Sequence, residues 1–317
     1  MTEKKVLVSG VKPTGRPHIG NYFGAMKQFV ELGTLYQSHI FIADLHAVTS
    51  VQNGDELSKN SFEVLLDYLA IGLDPQKVSL YKQSDVPQVA ELAWIFNCLT
   101  TMPYLMRGHA FKDAEAKNKE INVGVFDYPI LMAADILIQD ADVVPVGADQ
   151  KQHVEIARDV AQKFNNTYGE TFKLPEAVIL DQVATVPGTD GRKMSKSYGN
   201  TIELFATDDE IERAVMSIVT DSTKDMPANV YAIHLLLRKK SELDKLYDEK
   251  RGKYQELKKA LIEDLKKFIG PIREKRQALE HDRKKALQIL ESGGRAARLR
   301  AENKMAEVRE KIGLTLA

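Results

Sequence analysis

Val6-Leu7-Val8-Ser9-Gly10-Val11-Lys12-Pro13-Thr14-Gly15-Arg16-Pro17-His18-Ile19-Gly20-Asn21 reads as a strand, a loop and a helix start. The apolar opening, residues 6–9, is a buried strand, and the Gly/Pro centre cannot continue it. From Asn21 onward Tyr22, Met26, Phe29 and Leu32 fall at helical spacing, with Gly33 where a C-cap would stand. A strand, a glycine loop and a helix start make an anion site, because unpaired backbone N–H groups and the positive end of the helix dipole converge. Gly20 would let a nucleotide approach the backbone, and His18 and Asn21 carry donors for phosphate oxygens. The alternative is a plain βα turn with His18 at the surface.

The alternation of strand and helix continues to about Val186. Residues 40–43, 78–81 and 143–146 are strand-like. Phe62, Leu65, Leu66 and Leu69 mark a helix ending at Gly72. Further helices follow Pro87, cover residues 129–138, and carry His153, Ile156, Val160 and Phe164 on one face. This pattern predicts an α/β fold, a Rossmann-type parallel sheet with helices on both faces. After about Glu203 strand signals stop. Helices are expected over residues 209–219, 232–246, 254–268, 272–290 and 295–311, making an all-helical second domain. The expected division is a catalytic domain over 1–202, a helical domain over 203–290, and a C-terminal helix over 291–317 that packs back on the first domain.

Composition bounds the function. With 317 residues, 44% hydrophobic and 28% charged, the chain can bury a sizeable core, which excludes disordered and fibrous classes. No apolar run approaches the roughly 20 residues of a membrane span, so no membrane partner is expected. The opening MTEKKVLVSG has neither secretory nor transit character, so a cytoplasmic location is expected. The single cysteine, Cys98, excludes an intrachain disulfide and cysteine-based metal clusters and is read as core filler. Net charge is -1, but from Arg251 onward 18 Lys and Arg face 10 Asp and Glu. That basic third is either a contact for a phosphate backbone or a solvated helical face.

Two further patterns carry chemistry. Gly191-Arg192-Lys193-Met194-Ser195-Lys196-Ser197 lies in a turn-rich junction, and lysines spaced by three can neutralise a leaving group when such a loop closes. As a bare charge cluster it would be a solvated loop. Met132, Asp135 and Ile136 share a helix face, which sets a carboxylate among apolar side chains. A buried carboxylate needs a donor, either from a ligand or from a backbone group or basic residue of the same chain. His153 and Glu155 are two apart, do not share a helix face, and so make no metal pair; His153 is read as structural.

Taken together and in this order, His18-Ile19-Gly20-Asn21 and Lys193-Met194-Ser195-Lys196-Ser197 resemble the HIGH and KMSKS elements of the class I aminoacyl-tRNA synthetases. Asparagine at position 21 points to the tryptophanyl/tyrosyl subclass. Residues 21–25, 44–47, 128–137 and 144–159 are similar to the tryptophanyl-tRNA synthetases, and the resemblance extends over essentially the whole chain. It implies activation of L-tryptophan by ATP to tryptophanyl-adenylate and pyrophosphate, then transfer to the 2′-hydroxyl of the terminal adenosine of tRNA(Trp). It implies that Asp135 accepts the indole N–H, that Val8, Gly10, His46, Met132, Ile136, Val144 and Val146 surround the ring, and that Tyr128 and Gln150 hold the α-ammonium end. ATP would be bound by Lys12, Thr14, His18, Gly20, Asn21, Gly147, Asp149, Lys193, Met194, Ser195 and Lys196, with His18, Asn21, Lys193 and Lys196 as catalytic residues. Mg²⁺ would be held through the ATP phosphates, with no metal site on the protein. A homodimer and an anticodon-reading helical domain are implied as well.

There are departures and rivals. Lys12 stands where relatives often carry glutamine, and Ala114 where many carry a second phosphate-contacting lysine, a role that either passes to Lys112 or Lys117 or is absent from this chain. A tyrosyl-tRNA synthetase would also want a buried acceptor such as Asp135, but the context of residues 134–137 and 149–153 favours tryptophan. Small HxGH nucleotidyltransferases lack a KMSKS loop and the roughly 115 residues after Glu203. A non-catalytic paralogue is disfavoured by the presence of His18, Asn21, Lys193 and Lys196, and kept open by Ala114.

Overall fold

The computed structural model describes residues 4–108, 111–112, 115, 121–179, 186–220 and 226–316. Strands β1 (Val6–Val11), β2 (Gln37–Ile42), β3 (Val78–Lys82), β4 (Val143–Val146) and β5 (Glu176–Ile179) form one parallel sheet in the order β3-β2-β1-β4-β5. Among the described residues the helices are α1 (Ile19–Asn21), α2 (Lys27–Leu35), α3 (Asp44–Val48), α4 (Gly54–Ala70), α5 (Gln88–Leu99), α6 (Met102–Leu105), α7 (Val123–Leu137), α8 (Lys151–Tyr168), α9 (Asp208–Met216), α10 (Ala228–His234), α11 (Lys240–Glu249), α12 (Tyr254–His281) and α13 (Arg283–Lys311). The fold is therefore α/β of Rossmann type with additional helical structure. No helix among the described residues is long and apolar enough to cross a membrane.

Contacts divide the chain into two units that interleave along the sequence. The first comprises Met1–Gly15, Val30–Leu180 and Arg283–Ala317; the second comprises Arg16–Phe29 and Asp181–Asp282.

In the first unit the strand centres are apolar on both sides, as a sheet covered on both faces requires. Val6, Val8, Phe41 and Tyr81 meet α5, α7, α8 and α13 through Leu92, Phe96, Ile130, Phe164, Ala301 and Met305. The other face, with Leu7, Ile40 and Ile42 buried, is covered by α2 and α4. The strand β5 was not foreseen, because Glu176-Ala-Val-Ile is short, half-exposed and without alternation.

Several helix boundaries differ from expectation, each for a local reason. Gly33 does not end α2, which runs on to Leu35; the glycine lies where a Cβ would come within 3.0 Å of Val78. Pro129 does not start a helix: α7 begins six residues earlier, capped by the Asn122 side chain on the N–H of Val125 at 2.9 Å. Gly293 and Gly294 do not separate helices either. α13 is continuous and lies on β3, where a Cβ on Gly293 would fall 2.0 Å from the carbonyl oxygen of Leu80, so only glycine allows the approach. Cys98 is exposed rather than core filler, because α5 turns Leu92, Ile95 and Phe96 inward instead.

The second unit is helical around α12, whose Leu257, Leu261, Leu265 and Ile269 are buried. Pro271 lies inside α12, and the break expected there occurs at Asp282. The single helix expected over 232–246 is two, α10 and α11. Between them Asp264 of α12 accepts from Arg238 at 2.7 Å and pairs with buried His234, also at 2.7 Å, which ties α12 to α10 and to the segment that follows it. Lys258 donates to the carbonyls of Met216 and Ile218 at 2.8 and 2.7 Å, satisfying the end of α9.

Candidate active site

In the first unit the C-terminal ends of β1, β2 and β3 gather a polar cluster, the edge at which parallel α/β sheets place their ligands. Asp44, at the start of α3, accepts the N–H groups of Leu45 and Ser84, each at 3.0 Å. That joins the loop after β2 to the loop after β3 and sets His46 beside Gln83. The N–H of His46 donates to Gln83 Oε1 at 3.2 Å.

Asp135 projects from α7 into this cluster and is only 3% exposed. Gln83 Nε2 donates to Oδ1 at 3.0 Å and to Oδ2 at 2.8 Å, and His46 Nε2 bonds Oδ2 at 3.0 Å. The partners left open by the sequence are thus a side-chain amide and an imidazole. Burial holds the Asp135 carboxyl above the usual range, and the bonds from His46 and Gln83 pull it part of the way back. Tyr128, two turns before Asp135 on α7, sets its ring edge-on to His46, and its hydroxyl bonds His153 Nε2 at 3.0 Å.

Val8, Val144, Val146 and Ile136 are buried in the core beneath the cluster, with half-buried Met132 packed on it. Gly10 is open to solvent at the end of β1; a Cβ there would come within 2.6 Å of the Phe41 ring, so this position admits no side chain. Lys12 Nζ donates to Ser50 Oγ at 3.1 Å, and burial lowers the lysine's pKa. Thr14 is exposed, while Gly147 and Gln150 are half-buried.

In the second unit, the spacing of His18 and Asn21 has an internal cause. His18 Nδ1 accepts the N–H of Asn21 at 3.2 Å, and Asn21 Oδ1 accepts the N–H of His18 at 3.0 Å, a reciprocal cap. Because Nδ1 is the acceptor, the neutral ring carries its proton on Nε2. The same segment pairs antiparallel with residues just past the lysine loop: Ile19 N–H to Ile202 O at 2.9 Å and Leu204 N–H to Pro17 O at 3.0 Å. The two sequence motifs are therefore stitched together within one unit. A Cβ on Gly20 would meet the His18 ring at 2.9 Å, which gives that glycine an intramolecular reason. In the loop, Met194 is buried and its N–H bonds Val186 O at 2.9 Å, whereas Lys193 and Lys196 are exposed. Ser195 Oγ lies 2.9 Å from Ser197 Oγ.

Burial first, and the Lys196 charge second, push the His18 pKa down from 6.5 to about 4. A depressed histidine pKa favours the folded state above pH 6.5, and that contribution is lost as pH falls through about 4. The ring is neutral at pH 7. An NMR titration is expected to give His18 a midpoint near 4, moving upward in Lys196→Ala. An unshifted midpoint would contradict the buried, cation-facing environment.

A sequence model described as tRNA synthetases class I (W and Y) matches residues 1–286. The chain belongs to that family. A tryptophan–tRNA ligase of Fusobacterium nucleatum is 48% identical over 319 residues, covering 98% of both chains. One from Rhodopirellula baltica is 44% identical over 317 residues, covering 97% of this chain and 99% of its own. The crystal structure of tryptophanyl-tRNA synthetase from Campylobacter jejuni, complexed with ADP and tryptophan, has a TM-score of 0.91 at 44% identity, covering 97% of this chain and 99% of that one. A tyrosyl-tRNA synthetase from Archaeoglobus fulgidus, at 19% identity and a TM-score of 0.66, shares the fold.

The structure places beside Asp135 one buried polar group that the sequence did not single out. Gln83 is 1% exposed and bridges Asp135 to the main chain of His46. Its signal was its position, a polar residue directly after a parallel strand, where a loop was the obvious reading. Ala114, Lys117 and the side chain of Asp149 lie outside the described residues, and Lys112 is exposed.

Proposed function

We propose that this chain is a tryptophan–tRNA ligase, joining L-tryptophan to ATP with release of pyrophosphate and then passing the tryptophanyl group to the 2′-hydroxyl of the terminal adenosine of tRNA(Trp). What carries this is the 48% identity to a tryptophan–tRNA ligase over 98% of both chains.

The site chemistry supports it. A carboxylate offers about four lone-pair directions. Asp135 Oδ2 is engaged by both Gln83 and His46, whereas Oδ1 receives the longer Gln83 bond alone and retains capacity for an indole N–H. A site built around such an acceptor disfavours an amino acid lacking the donor. Val8, Gly10, Met132, Ile136, Val144 and Val146 then border the ring, and Tyr128 and Gln150 take the ammonium end. The tryptophan carboxylate attacks the α-phosphorus of ATP, forming the new P–O bond as the bond to pyrophosphate breaks.

Contacts to the nucleotide are assigned to Lys12, Thr14, His18, Gly20, Asn21, Gly147, Asp149 and the loop Lys193-Met194-Ser195-Lys196. His18, with its Nε2 proton, donates to a phosphate oxygen, and the two lysine ammoniums stabilise the charge that develops on pyrophosphate. Mg²⁺ would be held through the ATP phosphates and would shield their charge.

Helices α9 to α12 are assigned to anticodon reading. In α13, Arg298, Arg300, Lys304 and Arg309 are engaged by the carbonyls of Asp85 and Gln139 and by Asp140 and Glu91, so the exposed Lys259, Lys267 and Lys275 of α12 are the better phosphate contacts. A second copy of the chain is assigned as partner, as the resemblance implies. Sedimentation as a monomer at micromolar concentration would remove that assignment. The enzyme would act in the cytoplasm, with ATP and tRNA.

The deciding experiment is exchange of labelled pyrophosphate into ATP with tryptophan, tyrosine, phenylalanine or no amino acid, followed by charging of tRNA(Trp). Exchange with tryptophan alone is expected. Exchange with tyrosine would move the assignment to tyrosine, and no exchange from folded protein would favour a non-catalytic role.

A further inference from the structure

Asn200 is buried to 2% exposure although it follows an exposed, lysine-bearing loop by only four residues. Its side chain faces back into that loop. Oδ1 accepts the N–H of Ser195 at 2.8 Å, while Nδ2 donates to Asp190 Oδ1 at 2.6 Å and to the carbonyl of Lys193 at 3.2 Å. One amide thus grips the main chain on both sides of Met194. Its own carbonyl accepts the N–H of Thr189 at 3.0 Å.

Asp190 continues the frame. Its carboxylate accepts the N–H of Arg192 at 3.0 Å and pairs with that guanidinium at 2.6–2.7 Å, and the guanidinium lies over the Tyr198 ring at 4.2 Å. The carbonyl of Arg192 accepts the N–H of Gly188 at 2.7 Å. From Gly188 to Asn200 the loop is therefore closed on itself by a buried amide and a carboxylate. These groups hold the backbone from which the two lysines project.

We propose that Asn200, with Asp190, is a positioning pair that fixes the internal shape of the Lys193–Lys196 segment, so that both ammoniums arrive together at the leaving pyrophosphate. This rests on the function proposed above. A residue in this position must donate and accept at once, which asparagine does and neither aspartate nor alanine can. A misplacement of about 1 Å in a catalytic group costs on the order of 100-fold in rate.

The test is tryptophan-dependent pyrophosphate exchange by the full chain, with KM for tryptophan and kcat read separately. Asn200→Ala is expected to lower kcat about 100-fold and to move KM for tryptophan less than about twofold. Asn200→Asp keeps the acceptor for Ser195 but sets a carboxylate against Asp190 and the Lys193 carbonyl, and is expected to lose as much.

Unchanged kcat in Asn200→Ala, or a parallel rise in KM, would overturn the positioning role. Should Asn200→Ala not fold, the near-isosteric Asn200→Asp decides by the same split of kcat from KM. Absence of exchange in the wild-type protein would instead remove the proposed function and this role with it.

Discussion

Lys193→Ala is expected to lower the rate of tryptophan activation about 100-fold or more while leaving tryptophan affinity nearly unchanged. Its ammonium is exposed, and among the described residues its main chain is held by the bridge to Pro187 and by Asn200, which donates to its carbonyl. Truncation therefore keeps the loop's shape and removes one charge. That charge matters most when negative charge moves onto pyrophosphate, which is why the loss falls on the rate and not on ground-state binding. Single-turnover adenylate formation, with calorimetric tryptophan binding beside it, reads both quantities. An unchanged single-turnover rate would remove the leaving-group role.

For Asp135 the expected effect is the reverse split. Asp135→Asn should weaken tryptophan binding about 10- to 150-fold, the equivalent of about 1.5–3 kcal/mol for a hydrogen bond to a charged group, with ATP affinity changed less than about twofold. The amide retains an acceptor for Gln83, so the cluster stays folded. Asp135→Ala should do the same to tryptophan and also lower thermal stability, because the buried Gln83 amide loses its acceptor at a cost of about 1–3 kcal/mol. Equal losses for tryptophan and ATP in Asp135→Asn would point to a folding defect and not to recognition of the indole.

The parts of the fold legible in sequence were those written in local chemistry. Runs such as Val6-Leu7-Val8 and residues 40–42 are apolar on both sides because the strand is covered on both faces, and that signal needs no knowledge of the neighbours. β5 was not legible, because an edge strand of four half-exposed residues is defined by its bonds to β4 more than by its own pattern. Pro129, Pro271 and the Gly293-Gly294 pair read as helix boundaries because their intrinsic cost is about 1 kcal/mol for glycine and about 3 for proline. Packing outweighs it where α13 needs Gly293 to lie on β3.

The site divides along the same line. Residue types and spacing in sequence determined the chemistry: a histidine and an asparagine three apart at a helix start, two lysines three apart in a glycine-flanked loop, a carboxylate on an apolar helix face. Only tertiary structure decided the partners. His18 and Asn21 cap each other, Gln83 after β3 and His46 of α3 share Asp135 of α7, and Asn200 closes the lysine loop from within. The physical reason is range. Periodicity and capping act over a few residues and leave their mark in local sequence, whereas the bond that satisfies a buried polar atom is chosen by whatever the fold brings within about 3 Å of it.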